Sequence, residues 1–396
     1  MRFFVLIVCV FGLAQALPRN EEEPEFKEAE LCQPWLCRAP DCKCTSTESG
    51  GSFPVEKTPQ LVMVTFDDAV TALNYEYIEK SLNKLSNPDG CPAQATFYVS
   101  HEYTDYSKVH ELHAAGHEIA LHSITHSPYN SYWRNISVEK LLMEFGDQKD
   151  MIAHFANIPA DDIHGMRMPL FQLSGDNSYI AMVKAGLKYD SSWPTQKYTK
   201  PGLWPYTLDY LSTQDCSIGD CPTASIPGAW LQPILNWEDA AGTPCAMVDA
   251  CMNVPDYDVD LLLEWMKSNF HRVYDSNRAP FGVHLHAAWF QRGDNNFAAF
   301  KKFMEYLVSH DDVYLVGTNR VIEYTKNPVP VEDFEACAEK KKPSCMPRLC
   351  VLKKETASGP DDRYMTICTK CPEAYPWLGN PFGEKTSEEV KSSEEA

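Results

Sequence analysis

Apolar and polar positions alternate in blocks along most of this chain. The first clear block is Leu61-Val62-Met63-Val64-Thr65-Phe66, a short, branched run followed directly by two carboxylates, Asp67 and Asp68. Its length and branching predict a buried strand over Leu61–Phe66 rather than a helix. A helical pattern follows over Tyr75–Leu85, then a strand over Ala95–Val99 and a helix over Lys108–Ala115 that Gly116 can cap. Glu118–Leu121 reads as another strand, and Val138–Phe155 as a helix with Ser137 at its N-cap. The alternation resumes with helix Val259–Phe270, strand Phe281–Leu285, helix Phe297–Val308 and strand Val313–Val316. Repeated units of this kind predict parallel strands covered by helices, in a barrel or a doubly wound sheet.

Between these blocks, Lys197–Pro255 has little periodicity and is rich in Pro, Trp, Tyr and Cys. It is expected to form ordered loops pinned by disulfides, the kind of segment that carries binding surfaces on a rigid scaffold. Cys216/Cys221 and Cys245/Cys251 are close enough in sequence to staple such loops. Cys32–Cys44 holds four cysteines in a stretch too small for a separate module, so a stapled extension against the main unit is expected. A second cysteine-rich extension spans Cys337–Cys371. No internal repeat is visible.

The ends change the picture of where the chain works. Arg2, the apolar run Phe3–Leu13 and Ala14-Gln15-Ala16 read as a secretory signal peptide, too short to span a membrane. Of 15 cysteines, Cys9 lies in that segment, and the even remainder allows up to seven disulfides in an oxidising compartment. Zinc clusters are the weaker alternative for these thiols, because secretion favours bridges. The expected organisation is signal peptide 1–16, acidic leader 17–31, cysteine-rich extension 32–59, main domain 60–330, second extension 331–383 and polar tail 384–396. A secreted, extracellular monomer is expected. The formal charge of -20 argues against nucleic acid, anionic membranes or polyanionic substrates as partners. One glycosylation sequon, Asn135-Ile136-Ser137, falls at a predicted helix start.

Candidate chemistry gathers at strand ends. Asp68 alone reads most simply as a turn acid beside a helix N-cap. His122-Ser123-Ile124-Thr125-His126 follows a strand, and on a helix imidazoles at i and i+4 share one face. Together, Asp68, His122 and His126 offer two nitrogens and one oxygen, a catalytic zinc pattern that leaves a position for water. Arg167-Met168-Pro169 places a guanidinium where it can hold a carboxylate, though a surface ion pair is the plainer reading. Asp190-Ser191-Ser192-Trp193 could be an Asx-turn over a core tryptophan. In Val283-His284-Leu285-His286-Ala287-Ala288-Trp289 the two histidines share one strand face, and either could be merely structural.

The ordered fragments TFDD, HSITH, RMP, DSSW and LHAAW, spread over Thr65–Trp289, resemble carbohydrate esterase family 4, the polysaccharide deacetylases, and among them the insect chitin deacetylases. The resemblance extends to the Cys37–Cys44 segment and to Pro376-Trp377-Leu378-Gly379-Asn380-Pro381. It implies an α/β fold, a distorted, incomplete (β/α) barrel with stapled N- and C-terminal extensions. It also implies one bound Zn2+, or another divalent transition metal, and a chitin or N-acetylglucosamine oligomer substrate. Residue by residue, it makes Asp67 the general base, Asp68, His122 and His126 the metal ligands, and Arg167 the tether of the base. His286 becomes the general acid, Asp190 the group that tunes it, and the Leu170 backbone the oxyanion donor. Leu285 would wall the acetyl methyl, and Trp193 and Trp289 would belong to the substrate groove. Leu170 departs from the family, which usually has Tyr or Phe there, and Ser192 stands where many bacterial relatives have an acid or amide. The function implied is a secreted chitin N-deacetylase that releases acetate. The alternative is a chitin-binding structural protein of the same fold with little turnover. A metal phosphoesterase is disfavoured by the single ligand cluster.

Overall fold

The computed structural model describes residues 26–337 and 340–385. The signal segment, most of the acidic leader and nearly all of the tail lie outside them.

Nine strands form the main sheet: β1 Gln60–Asp67, β2 Thr96–Val99, β3 Glu118–Leu121, β4 Gly165–Met166, β5 Tyr189–Asp190, β6 Tyr206–Leu208, β7 Ile226–Leu231, β8 Phe281–His286 and β9 Val313–Leu315. Their order is β8-β1-β2-β3-β4-β5-β7-β6, and β9 also pairs with β1. Every pairing is parallel except that of β6 with β7. All eight residues of β1 are buried, as expected of a central parallel strand covered on both faces.

The sheet curls into an incomplete barrel. Arg167, directly after β4, reaches Thr65 on β1, and Tyr98 of β2 meets Tyr189 of β5 inside the curl. Gly165 makes room for this inner layer, because a Cβ there would stand 2.0 Å from the Tyr189 ring. Pro194–Thr195 pairs with Ile234–Leu235 near the open side, and Trp237 Nε1–H donates to the Gly282 carbonyl of β8 at 2.7 Å.

Lys197–Pro255 departs from the expected loops, since β6 and β7 lie within it and extend the barrel sheet. Pro227 and Gly228 break the alternation of β7, whose pairing with β6 shifts register between Ile226 and Trp230. The predicted helix over Val138–Phe155 is also interrupted. Val138–Leu141 and Asp147–Phe155 are α-helical, and Leu142–Gly146 between them is a π-helical turn. Ser137 does cap it, its Oγ accepting from the Lys140 N–H.

The described cysteines pair as seven disulfides. Cys32–Cys44 and Cys37–Cys42 staple the N-terminal extension. Cys345–Cys368 and Cys350–Cys371 staple the hairpin Arg348–Thr356/Gly359–Ile367, and Cys91–Cys337 ties the start of that extension to the barrel. Among the described residues, no helix is long and apolar enough to cross a membrane.

Candidate active site

The C-terminal ends of the strands converge on one site. Parallel pairing places Asp67 opposite Tyr98 on one side and His286 on the other, so the sheet itself sets the Asp67 carboxylate beside the His286 imidazole. Asp68 follows with φ 83°, which turns its side chain out of the strand alternation. Two neighbouring acids can then face different ways.

His122 and His126 are not on a helix. Residues 122–126 form a bent loop after β3, with Ser123 at φ 74° and His126 at φ 41°. Left-handed backbone at such residues costs on the order of 1 kcal/mol or more each, and buried side chains offset it. Glu144 accepts from the Ile124 and Thr125 N–H groups at 3.1 and 2.9 Å, and from the Thr125 hydroxyl at 2.6 Å. Gln148 accepts from the Ser123 N–H at 2.8 Å and donates to the Ser123 carbonyl at 2.7 Å. Both are fully buried, and the π-helical turn that holds Glu144 immediately precedes the helical segment that carries Gln148. A wider turn at a working site is a recurrent device. The sequence did hold a signal for Glu144: one acid inside the apolar run Leu141–Phe145.

Asp68, His122 and His126 each present a donor atom, all within 4.8 Å of one another. His126 Nε2 lies 3.2 Å from Asp68 Oδ1. His122 donates its Nδ1–H to the Arg167 carbonyl at 2.8 Å, which leaves the Nε2 lone pair for a ligand bond. Burial pushes the His122 pKa down to about 4, so the ring is neutral, as a metal ligand must be. Two imidazoles and a carboxylate converging this closely fit a divalent transition metal with open coordination positions.

Arg167 is buried and spends all five of its N–H groups. Nε donates to the Ser191 carbonyl at 2.8 Å, and Nη2 to Ser191 Oγ and His284 Nδ1 at 3.2 and 3.3 Å. Nη1 donates to Thr65 Oγ1 at 2.9 Å and to Asp67 Oδ1 at 2.5 Å. Because arginine only donates, His284 Nδ1 is an acceptor, and the Thr65 hydroxyl donates a hydrogen bond to it at 2.8 Å. Burial, and then the Arg167 charge, hold His284 well below the usual histidine range, so it is neutral. The Tyr98 ring faces the guanidinium at 3.9 Å. Burial alone would raise the Asp67 pKa, but the charges of Arg167, His122 and His286, with the Arg167 hydrogen bond, hold it below the ordinary carboxylate value. Asp67 Oδ2 points the other way, 3.8 Å from His122 Nε2.

His286 Nε2 lies 3.8 Å from Asp68 Oδ2. Its Nδ1 donates to Asp249 Oδ2 at 2.9 Å. Burial would lower the imidazole pKa, yet the Asp249 hydrogen bond and charge, with Asp67 and Asp68, carry it up to about 9. The expected partner, Asp190, is elsewhere. It accepts from the Ser192 N–H and hydroxyl in the turn after β5, and burial lifts its pKa to about 7. Ser192 in turn accepts from the Met168 N–H at 2.7 Å, so Asp190 braces the Arg167 segment. Sequence reasoning missed Asp249, whose one local signal is an acid enclosed by the Cys245–Cys251 staple.

Three expected groove residues are in the core instead. Leu285, Trp193 and Trp289 are 0, 2 and 4% exposed. Leu285 takes the strand face opposite the two histidines, and Trp193 is anchored by its Nε1–H to the Asp215 carbonyl at 2.9 Å. Trp289 packs against Phe290. Leu170 is at the surface, 41% exposed, with φ 61°, and Phe171 follows at φ 52°. This double left-handed turn leaves the Leu170 N–H without an acceptor among the described residues.

The polysaccharide deacetylase family model matches residues 55–189. Chitin deacetylase 8 of Bombyx mori is 44% identical over 363 residues, covering 91% of this chain and 95% of the relative. Chitin deacetylase 1 of the same organism is 35% identical over 378 residues, covering 90% and 69%. A solved chitin deacetylase from Colletotrichum lindemuthianum aligns at 14% identity and TM-score 0.37, over 68% of this chain and 92% of that one. With a relative this similar along nearly its whole length, the chain belongs to the polysaccharide deacetylases, carbohydrate esterase family 4.

Proposed function

We propose that this protein is a secreted, zinc-dependent N-deacetylase acting on N-acetylglucosamine units of chitin or its oligomers. One observation carries the reading: a carboxylate tethered by Arg167 and an imidazole held by Asp249 both border the Asp68, His122 and His126 cluster. Asp67 Oδ2 and His286 Nε2 each lie 3.8 Å from a different member of it. The names of the relatives support chitin as substrate, and the disulfides support an extracellular setting.

Asp68, His122 and His126 would hold the ion. When bound, zinc polarises a carbonyl and lowers the pKa of nearby water. Asp67, ionised and fixed by Arg167, takes a proton from water as its oxygen adds to the acetamide carbonyl carbon. The Leu170 N–H is free to donate to the oxygen that gains charge. His286 gives its Nε2 proton to the sugar nitrogen as the C–N bond breaks, leaving a free amine and acetate. Asp249 keeps His286 charged until that step.

Acetate release from N-acetylglucosamine oligomers, with and without a chelator, is the direct test. The expected result is release that stops on chelation and returns with zinc. Oligomer binding without any acetate release would replace this reading with the structural binding protein.

A further inference from the structure

The loop after His126 presents an aromatic side chain that the fold does not use. Tyr129 is 69% exposed, and its side chain makes no hydrogen bond or ring contact among the described residues. It follows His126 by three positions, so their Cα atoms are at most about 11 Å apart. Tyr129 is therefore exposed on the same stretch of chain that carries His126.

Its segment is pinned rather than loose. Trp133 Nε1–H donates to the Ser127 carbonyl at 2.8 Å, and the Tyr132 hydroxyl to Glu144 Oε1 at 2.6 Å. Asn130 Nδ2–H donates to Gln172 Oε1 at 3.1 Å, tying the segment to the turn that carries Leu170. Glu144, which shapes the metal-ligand loop, thus also anchors the segment beside Tyr129. An exposed tyrosine on a thrice-anchored segment is held ready for an outside partner at little ordering cost. Tyr103, on the loop after β2, differs in that the Arg363 guanidinium lies 5.7 Å from its ring.

We propose that Tyr129 is a substrate-positioning residue that stacks its ring on the C–H face of a sugar unit beside the one being deacetylated. It supplies the aromatic surface that Leu170, an aliphatic neighbour across the Asn130–Gln172 bond, does not. This assignment rests on the chitin reading above. The ring face, rather than the hydroxyl, carries the contact, because a pyranose offers a flat set of C–H bonds and aromatic surface covers them.

The test measures the dissociation constant of N-acetylglucosamine tetramer for the zinc-loaded protein and for Tyr129→Ala, Tyr129→Phe and Trp35→Ala, with acetate release followed in parallel. Trp35→Ala controls for loss of an exposed aromatic on the N-terminal extension. Tyr129→Ala is expected to weaken binding about threefold to tenfold, the size of one aromatic contact, and to raise KM to match. Tyr129→Phe and Trp35→Ala should bind within twofold of the parent, as about one RT or less separates them. Unchanged binding in Tyr129→Ala, or an equal loss in Tyr129→Phe or Trp35→Ala, overturns the assignment. A parent that binds tetramer without releasing acetate removes the deacetylase reading, while a selective loss in Tyr129→Ala still supports Tyr129. A parent that does not bind tetramer overturns both.

Discussion

The imidazole of His286 donates to the Asp249 carboxylate across 2.9 Å, joining the end of a barrel strand to a disulfide-closed loop. An acid with this partner stays protonated to about pH 9. Activity that needs the proton holds below that pKa and falls as pH rises through it. Asp249→Asn removes the largest of the charges that raise the pKa, with Asp67 and Asp68 remaining, so the alkaline limb of kcat/KM should move down toward the ordinary imidazole value of about 6.5. The acid limb, set by Asp67, should stay in place. An alkaline limb that does not move would assign the proton to another group.

The two neighbouring aspartates should separate cleanly. Asp67→Asn removes the base and is expected to cost about a hundred- to ten-thousand-fold in rate while zinc content stays close to stoichiometric. Asp68→Asn should lose both zinc and activity. Metal analysis beside acetate release distinguishes the two outcomes, and zinc loss in Asp67→Asn would contradict the division of labour.

His126→Ala removes one of three protein ligands, and bound zinc should fall below detection after dialysis. The fold should survive, because strands and disulfides do not pass through that side chain. An unchanged circular dichroism spectrum with absent metal is the expected pair of results.

Glu144→Gln keeps an acceptor but loses the carboxylate that gathers two N–H groups and two hydroxyls. Zinc affinity is expected to drop about tenfold to a hundredfold, as for other groups that orient metal ligands. Competition with a chelating dye measures it.

The disulfides should divide by role. Cys91–Cys337 bridges a sequence separation of 246, and Cys245–Cys251 one of 6. Chain entropy assigns about 5 kcal/mol to the long closure and about 2 kcal/mol to the short one. Replacing both cysteines of the long bridge by Ser should lower Tm more. The same change in the short bridge should mainly reduce activity, by loosening Asp249.

Much of this architecture was readable because it is local. The strand over Leu61–Phe66, the exit pair Asp67-Asp68 and the later strand–helix alternation follow from periodicity. The strand pairs within Lys197–Pro255 did not show, since strands of two or three residues, and one broken by Pro227-Gly228, leave no period to detect. The His122/His126 spacing suggested a helix, but Glu144 and Gln148 stabilise a left-handed loop that propensity does not encode. Asp249 was missed for a different reason. The Cys245–Cys251 staple around it was legible, but its partner His286 lies 37 residues away, and nothing local pairs the two. Trp193 and Trp289 are apolar side chains near motifs, and burial claimed them.

The saturated guanidinium of Arg167 has one more implication. With every N–H already committed inside the barrel, it has no donor left to offer an arriving sugar. The share of the Asp67 proton affinity that Arg167 sets is therefore in place before any partner arrives. Exposed positions such as Tyr129 and Leu170 take no part in the Arg167–Asp67 contact, so changes there leave it as it is. Substrate choice and chemical competence are, in this fold, separately adjustable.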